Sequence, residues 1–151
     1  PGVHEYFMLI AMAVRRRANC LGHRVGAVIV RDGRIISTGY NGTPAGMPNC
    51  LDGGCPRCAN RLRYPAGTAY DLCICVHAEQ NAIIQAALHG TAVRGGSVYC
   101  THKPCVLCTK MLVNAGIRRV YYVEGYEDAM ADEIAREAGM EVVELPGEGR
   151  E

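Results

Sequence analysis

Two short stretches of this chain carry residue types suited to metal chemistry. The first is His77-Ala78-Glu79, and the second is Pro104-Cys105-Val106-Leu107-Cys108. An imidazole and two thiolates make a nitrogen–sulfur donor set that suits Zn²⁺, and a catalytic zinc keeps its fourth position for water. His77, Cys105 and Cys108 are therefore the candidate ligands, with His77 and Cys105 lying 28 positions apart (77 to 105). Glu79, two residues after His77, points elsewhere in the site and is the candidate general acid/base that moves protons to and from an activated water. A lone CxxC or His-x-Glu is a weak signal, and each alone reads as a buried thiol pair or a capping residue. Both together at two helix starts are specific.

The elements that must position these groups follow from hydrophobic period and punctuation. His77 to His89 has apolar residues at helical spacing and stops at Gly90, and Cys105 to Ala115 is a second helix opened by Pro104 and closed by Gly116. Helix starts carry free N–H groups and partial positive charge, which favour thiolates. Glu5 to about Asn19 reads as a helix with Tyr6, Leu9, Ile10, Ala13 and Val14 on its apolar face. The triplet Arg15-Arg16-Arg17 at its end matches the helix dipole, with a phosphate or subunit contact as the alternative. Val25–Val30, the turn Arg31-Asp32-Gly33 and Arg34–Gly39 form a hairpin. Further strands are expected at Ser97–Cys100, Arg119–Val123 and Glu141–Leu145, with a helix at Glu127–Ala138 and a disordered tail after Pro146. Helices alternating with short apolar strands imply an α/β sheet covered by helices, in one domain over 1–151.

Composition narrows the partners. The net charge of +1 argues against a grip on long polyanions, so no nucleic-acid partner is expected, while a single nucleotide is still accommodated. No apolar run approaches the ~20 residues that span a bilayer, so no membrane partner is expected. The opening Pro1-Gly2-Val3-His4-Glu5 has no signal-peptide pattern, and the expected location is cytoplasmic. Nine cysteines in a reducing compartment read as metal ligands or buried thiols rather than disulfides.

The H-x-E…P-C-x-x-C pattern is a known signature of zinc nucleobase deaminases. Around it the chain resembles the cytidine and deoxycytidylate deaminase superfamily, from about Glu5 to Val143. Val25–Val30, Gly39-Tyr40-Asn41-Gly42, His77–Ile83 and Asn114-Ala115-Gly116-Ile117 resemble the deoxycytidylate (dCMP) deaminase branch. The resemblance implies a three-layer α/β/α cytidine-deaminase-like fold with a five-stranded mixed sheet. It implies hydrolysis of dCMP to dUMP and ammonia, supplying thymidylate synthesis. A homo-hexamer is implied too, with dCTP and dTTP as effectors and Mg²⁺ accompanying a nucleotide effector. The substrate contacts it suggests are Asn41, the backbone of Ala78, Thr101 and Tyr126. For Asn41 the alternative is a turn residue, and for Tyr126 ordinary packing.

The remaining cysteines concentrate around a stretch from Asn41 to Leu72 with little regular pattern. Cys50, Cys55 and Cys58 lie within it, Cys73 and Cys75 follow it, and Cys20 precedes it. A loop of about thirty residues with few apolar groups needs a cross-link, and four thiolates on zinc provide one. Some members of the resembled family carry such a second zinc. The expected set is Cys20, Cys50, Cys55 and Cys73, with Cys58 or Cys75 as substitutes. Cys100 reads as a buried small hydrophobe. No phosphate motif is visible, and Arg24, Arg57, Arg61, Arg63, His102 and Lys103 are all candidates for a phosphate. Rival functions are a zinc deaminase of another base (modified cytosine, guanine or tRNA adenosine) and a non-catalytic zinc-stabilised binding domain.

Overall fold

The computed structural model describes residues 2–65, 68–69 and 72–147. Helix α1 spans Val3–Arg15 and is followed by the antiparallel hairpin of strands β1 (Gly26–Arg31) and β2 (Arg34–Tyr40). The hairpin turns at Asp32 and Gly33, both at positive φ (53° and 75°), and its register shifts between Ile29 and Val30. Among its described residues the long segment after β2 contains a short helix, α2 (Pro56–Ala59), between 3₁₀ turns at Cys50–Asp52 and Arg61–Arg63. Then come α3 (Ala78–Leu88), β3 (Ser97–His102), α4 (Val106–Asn114), β4 (Arg119–Glu124), α5 (Ala129–Ala138) and β5 (Glu141–Glu144). The expected order of elements holds, with boundaries moved by a few residues at most. Of the tail after Pro146, residues 148–151 lie outside the described residues.

The five strands form one mixed sheet in the order β2-β1-β3-β4-β5. β1 pairs antiparallel with β2 and β3, while β3–β4 and β4–β5 are parallel. Alternate residues of each strand serve opposite faces. One face buries Val28, Tyr99, Tyr121 and Val123 against Phe7, Met8, Ala11 and Met12 of α1. The other buries Ala27, Ile29, Val98, Cys100 and Val120 against Ala82 and Ala86 of α3, Leu112 of α4 and Ala135 of α5. This is the expected α/β/α arrangement.

Helix α1 buries a different stripe from the one its apolar spacing suggests. Phe7, Met8, Ala11 and Met12 face the sheet, Ile10 and Val14 of the expected face are partly buried against them, and Tyr6 (51% exposed), Leu9 and Ala13 are exposed. Nearly the whole helix is apolar, so two stripes satisfy the helical period. Gly26 decides between them. A side chain there would stand 2.2 Å from the Ala11 carbonyl oxygen and 2.6 Å from the Arg15 nitrogen, so its absence lets this side of α1 settle onto β1.

Gly39 does the same on the opposite face. A Cβ at Gly39 would meet the Ala78 carbonyl oxygen at 2.3 Å and the Ala82 nitrogen at 2.4 Å. The first turn of α3 therefore rests directly on β2. Two hydrogen bonds fix it: Ser37 Oγ donates to the Ala82 carbonyl (2.6 Å), and Asn81 Nδ2 to the Tyr40 carbonyl (2.8 Å).

Candidate metal centre

Helices α3 and α4 begin beside one another on the same face of the sheet. His77 is the residue immediately before α3, and Cys105 immediately before α4. Cys108 follows one turn into α4, so both thiols face the same point. His77 Nδ1 lies 3.2 Å from Cys108 Sγ and 3.6 Å from Cys105 Sγ. Both helix starts are braced locally. Gln80 Oε1 accepts from the His77 N–H (2.9 Å), and Thr109 Oγ1 donates to the Cys105 carbonyl (2.9 Å).

Glu79 projects from the first turn of α3 into this group and is only 5% exposed. Burial pushes its carboxyl above the ordinary range, opposed by its own backbone N–H and by His77. The two thiols are shifted in opposite directions. A hydrogen bond from Cys108 holds Cys105 down to about 4, with His77 adding to the effect against the cost of burial, and Cys108 is pushed up correspondingly. Hydrogen bonding to Cys105 raises His77. Three soft donors, crowded and sharing protons that a cation would displace, fit zinc.

Structure and expectation diverge at the neighbouring positions. The pleat places Cys100 on the α3 face, where burial first and then the nearby Glu79 push its thiol up. Thr101 therefore belongs to the opposite face, level with Gly26. It is fully buried, its Oγ1 accepts from the Gly26 N–H (3.2 Å), and it bonds His102 Nδ1 (3.1 Å). Cys100, expected only to fill space, thus shares the α3 face with Glu79, and Thr101, expected to line the pocket, belongs to the other face. Strand alternation was the signal that separates the two.

Ala78 is fully buried, with its main chain in the first turn of α3. Asn41 is buried too, and the backbone uses both its polar atoms: Oδ1 accepts from the Val25 N–H (2.9 Å), and Nδ2 donates to the His23 carbonyl (2.8 Å). One N–H and one lone pair are left to it. Tyr126 is 85% exposed, so the structure does not pack it over the other site residues. Among the phosphate candidates, Lys103 pairs with Asp132 (2.8 Å), His102 with Glu124 (2.9 Å), and Arg57 Nε donates to the Thr68 carbonyl (2.8 Å). Arg61 and Arg63 line an open cleft with Cys50 and Cys58.

The second group of cysteines gathers completely. Cys20, Cys50 and Cys75 form one set with sulfurs within 4.8 Å of one another; Cys50, Cys55 and Cys58 form a second; Cys55, Cys73 and Cys75 form a third. The four residues expected from the sequence do not form one such set by themselves: Cys20, Cys50, Cys55 and Cys73 are spread over the three sets, which Cys58 and Cys75 complete. The loop ends meet nearby. Gly42 and Val76 exchange two backbone hydrogen bonds, one residue before His77.

An α/β/α sheet with an N/S/S donor set and a buried carboxylate at two helix starts defines a metal-site protein of the zinc-hydrolase type. Comparison with known proteins places it further. Residues 1–124 match the family model for the cytidine and deoxycytidylate deaminase zinc-binding region, and the chain belongs to that family. It is 38% identical to the deoxycytidylate deaminase of Schizosaccharomyces pombe over 94% of its own length, and spans 44% of that relative. It is 35% identical to the deoxycytidylate deaminase of Enterobacteria phage T4, covering 91% of this chain and 86% of the other. A crystal structure of dCMP deaminase from the cyanophage S-TIM5, in complex with dCMP and dUMP, superposes with a TM-score of 0.77 at 32% identity. That match covers 96% of this chain and 98% of the other.

Proposed function

We propose that this chain catalyses the hydrolytic deamination of dCMP to dUMP and ammonia, within one domain over 1–151. The observation that carries the reaction class is the buried Glu79 carboxyl held against His77, Cys105 and Cys108. The substrate is supported by two relatives named deoxycytidylate deaminase and by the cyanophage enzyme crystallised with dCMP and dUMP.

His77 Nδ1, Cys105 Sγ and Cys108 Sγ would hold zinc, which when bound supplies the Lewis acidity that makes a water molecule acidic near neutral pH. Glu79 accepts one proton from that water as its oxygen bonds to the ring carbon bearing the amine. It delivers this proton to the adjacent ring nitrogen. The second proton passes by the same carboxyl to the amine as the carbon–nitrogen bond breaks, and ammonia leaves. Burial favours the protonated form of Glu79, which suits a group that must hold a proton between transfers. The Ala78 main chain, in the first turn of α3, would read the pyrimidine carbonyl. Asn41 has one donor and one acceptor left for the nucleoside.

The cysteine-rich loop is read as a second, structural zinc site, which suits a reducing compartment such as the cytoplasm. The same reading carries a homo-oligomer, expected as a hexamer, with dCTP–Mg²⁺ and dTTP as effectors. Ammonia release over dCMP, CMP, deoxycytidine, cytosine and guanine, with and without dCTP and Mg²⁺, tests it. Preference for dCMP is the expected result, and preference for an unphosphorylated substrate overturns it.

A further inference from the structure

One tetrahedral zinc uses four thiolates, yet six converge in the loop. We propose that Cys20, Cys50, Cys55, Cys58, Cys73 and Cys75 hold two zinc ions that share two thiolates. This inference rests on reading the loop as a zinc site, and changes its metal content and its wiring.

The sulfurs can be grouped into two four-thiolate sets with a common edge, each with five of its six sulfur–sulfur distances within 4.8 Å, while Cys20–Cys75 brings the two sets together at the same range. The first is Cys20, Cys58, Cys50 and Cys55. Cys20–Cys58 is 3.8 Å, and Cys20–Cys50, Cys50–Cys55, Cys50–Cys58 and Cys55–Cys58 are each within 4.8 Å. The second is Cys73, Cys75, Cys50 and Cys55. Cys50–Cys75 is 3.0 Å, and Cys55–Cys73, Cys55–Cys75 and Cys73–Cys75 are each within 4.8 Å. Zinc–sulfur bonds of ~2.3 Å in a regular tetrahedron set the sulfur–sulfur edge at about 3.8 Å. Cys20–Cys58 matches that edge, and Cys50–Cys75 is shorter than it.

The shared edge is Cys50–Cys55. Both residues are fully buried at the centre of the group, whereas Cys73 and Cys75 are half-buried. A thiolate sulfur has lone pairs enough to bind two cations, and Cys55 is also hydrogen-bonded by the backbone N–H groups of Arg57, Cys58 and Ile74. Donors of that kind orient and stabilise a metal-bound sulfur. Sharing also limits charge. Six thiolates with two Zn²⁺ leave a net −2, the same as one four-thiolate zinc beside two neutral thiols, so a second ion adds no net charge while it uses every sulfur. Arg61 and Arg63, on the cleft beside Cys50 and Cys58, complement that residual charge.

Metal analysis of the full chain, purified with reductant and zinc and then dialysed, reads the stoichiometry. Three zinc ions per chain are expected, one of them lost in a His77→Ala/Cys105→Ala double variant. Two per chain in the unaltered protein would leave a single structural zinc and overturn the paired site. One per chain would overturn the structural zinc altogether. Cadmium-113 substitution of the unaltered chain gives a second reading that needs no variant. Two all-sulfur resonances coupled to each other through the shared sulfurs are expected; two uncoupled resonances would refute the sharing.

Discussion

The two thiol-bearing regions of this protein differ in what holds them in place. Around His77, Cys105 and Cys108 the geometry comes from regular structure: two helices start on one sheet face, and Gly39, Ser37 and Asn81 lock the first of them to β2. The donors arrive in position because the scaffold leaves them nowhere else to go. In the cysteine-rich loop the order is reversed. Among the described residues between Asn41 and Val76 regular structure is limited to α2 and short 3₁₀ turns, and the buried cluster there is made of cysteines, Cys50, Cys55 and Cys58, joined by Cys20 from before β1. There the ligands are the core. A reacting group needs a site preorganised by elements that do not depend on it, whereas a loop without a hydrophobic core needs a cross-link to exist in one shape.

Removing metal sets the two regions apart most sharply. A strong chelator should abolish turnover and raise amide hydrogen exchange across residues 42–76, while amides of β1, β3 and β4 stay protected. Equal loss of protection in sheet and loop would mean that both regions depend on metal alike, contrary to the comparison. Glu79→Gln should lower turnover by about 10²–10⁴-fold with no loss of zinc, since it removes proton transfer and keeps the shape. Unchanged turnover would refute the assigned role.

Gly39→Ala probes the scaffold alone. The added methyl collides with backbone at Ala78 and Ala82, so α3 must shift. A cost of ~1–3 kcal/mol in a denaturant melt is expected from overpacking. A displacement near 1 Å at Glu79 should cost on the order of 10²-fold in turnover. Zinc in the loop should be unaffected, and its loss would show that the loop leans on α3. Asp128→Ala is the smallest change. Asp128 Oδ1 accepts from the Ala131 N–H at the start of α5 (3.1 Å), remote from the loop. Losing that cap should cost about 1 kcal/mol with turnover and metal content unchanged.

Much of this was legible in the chain because it is local. The helix starts at His77 and Cys105 follow from periodicity and from Pro104 and Gly116. The hairpin follows from Asp32-Gly33. What escaped was relational. Two apolar stripes on α1 both satisfy a 3.6-residue period, and only packing at Gly26 chose between them. Thr101 and Cys100 are adjacent, and the pairing of β3 with β1 and β4 decided which of them shares the α3 face with Glu79. Asn41 is not in the left-handed geometry of a turn residue, and its side chain instead bonds His23 and Val25, partners that no spacing rule could specify.

By itself the sequence determined the order of elements, the donor types at two helix starts and a loop whose cysteines must do the work of a core, because each depends on neighbours within a few residues. The tertiary structure alone decided which face of the sheet the donors share, that Cys100 rather than Thr101 shares the α3 face with Glu79, and that all six loop cysteines converge rather than four. Each of those is a distance between residues far apart in the chain. Such distances are set by pleat, register and the closest approach that a missing side chain permits.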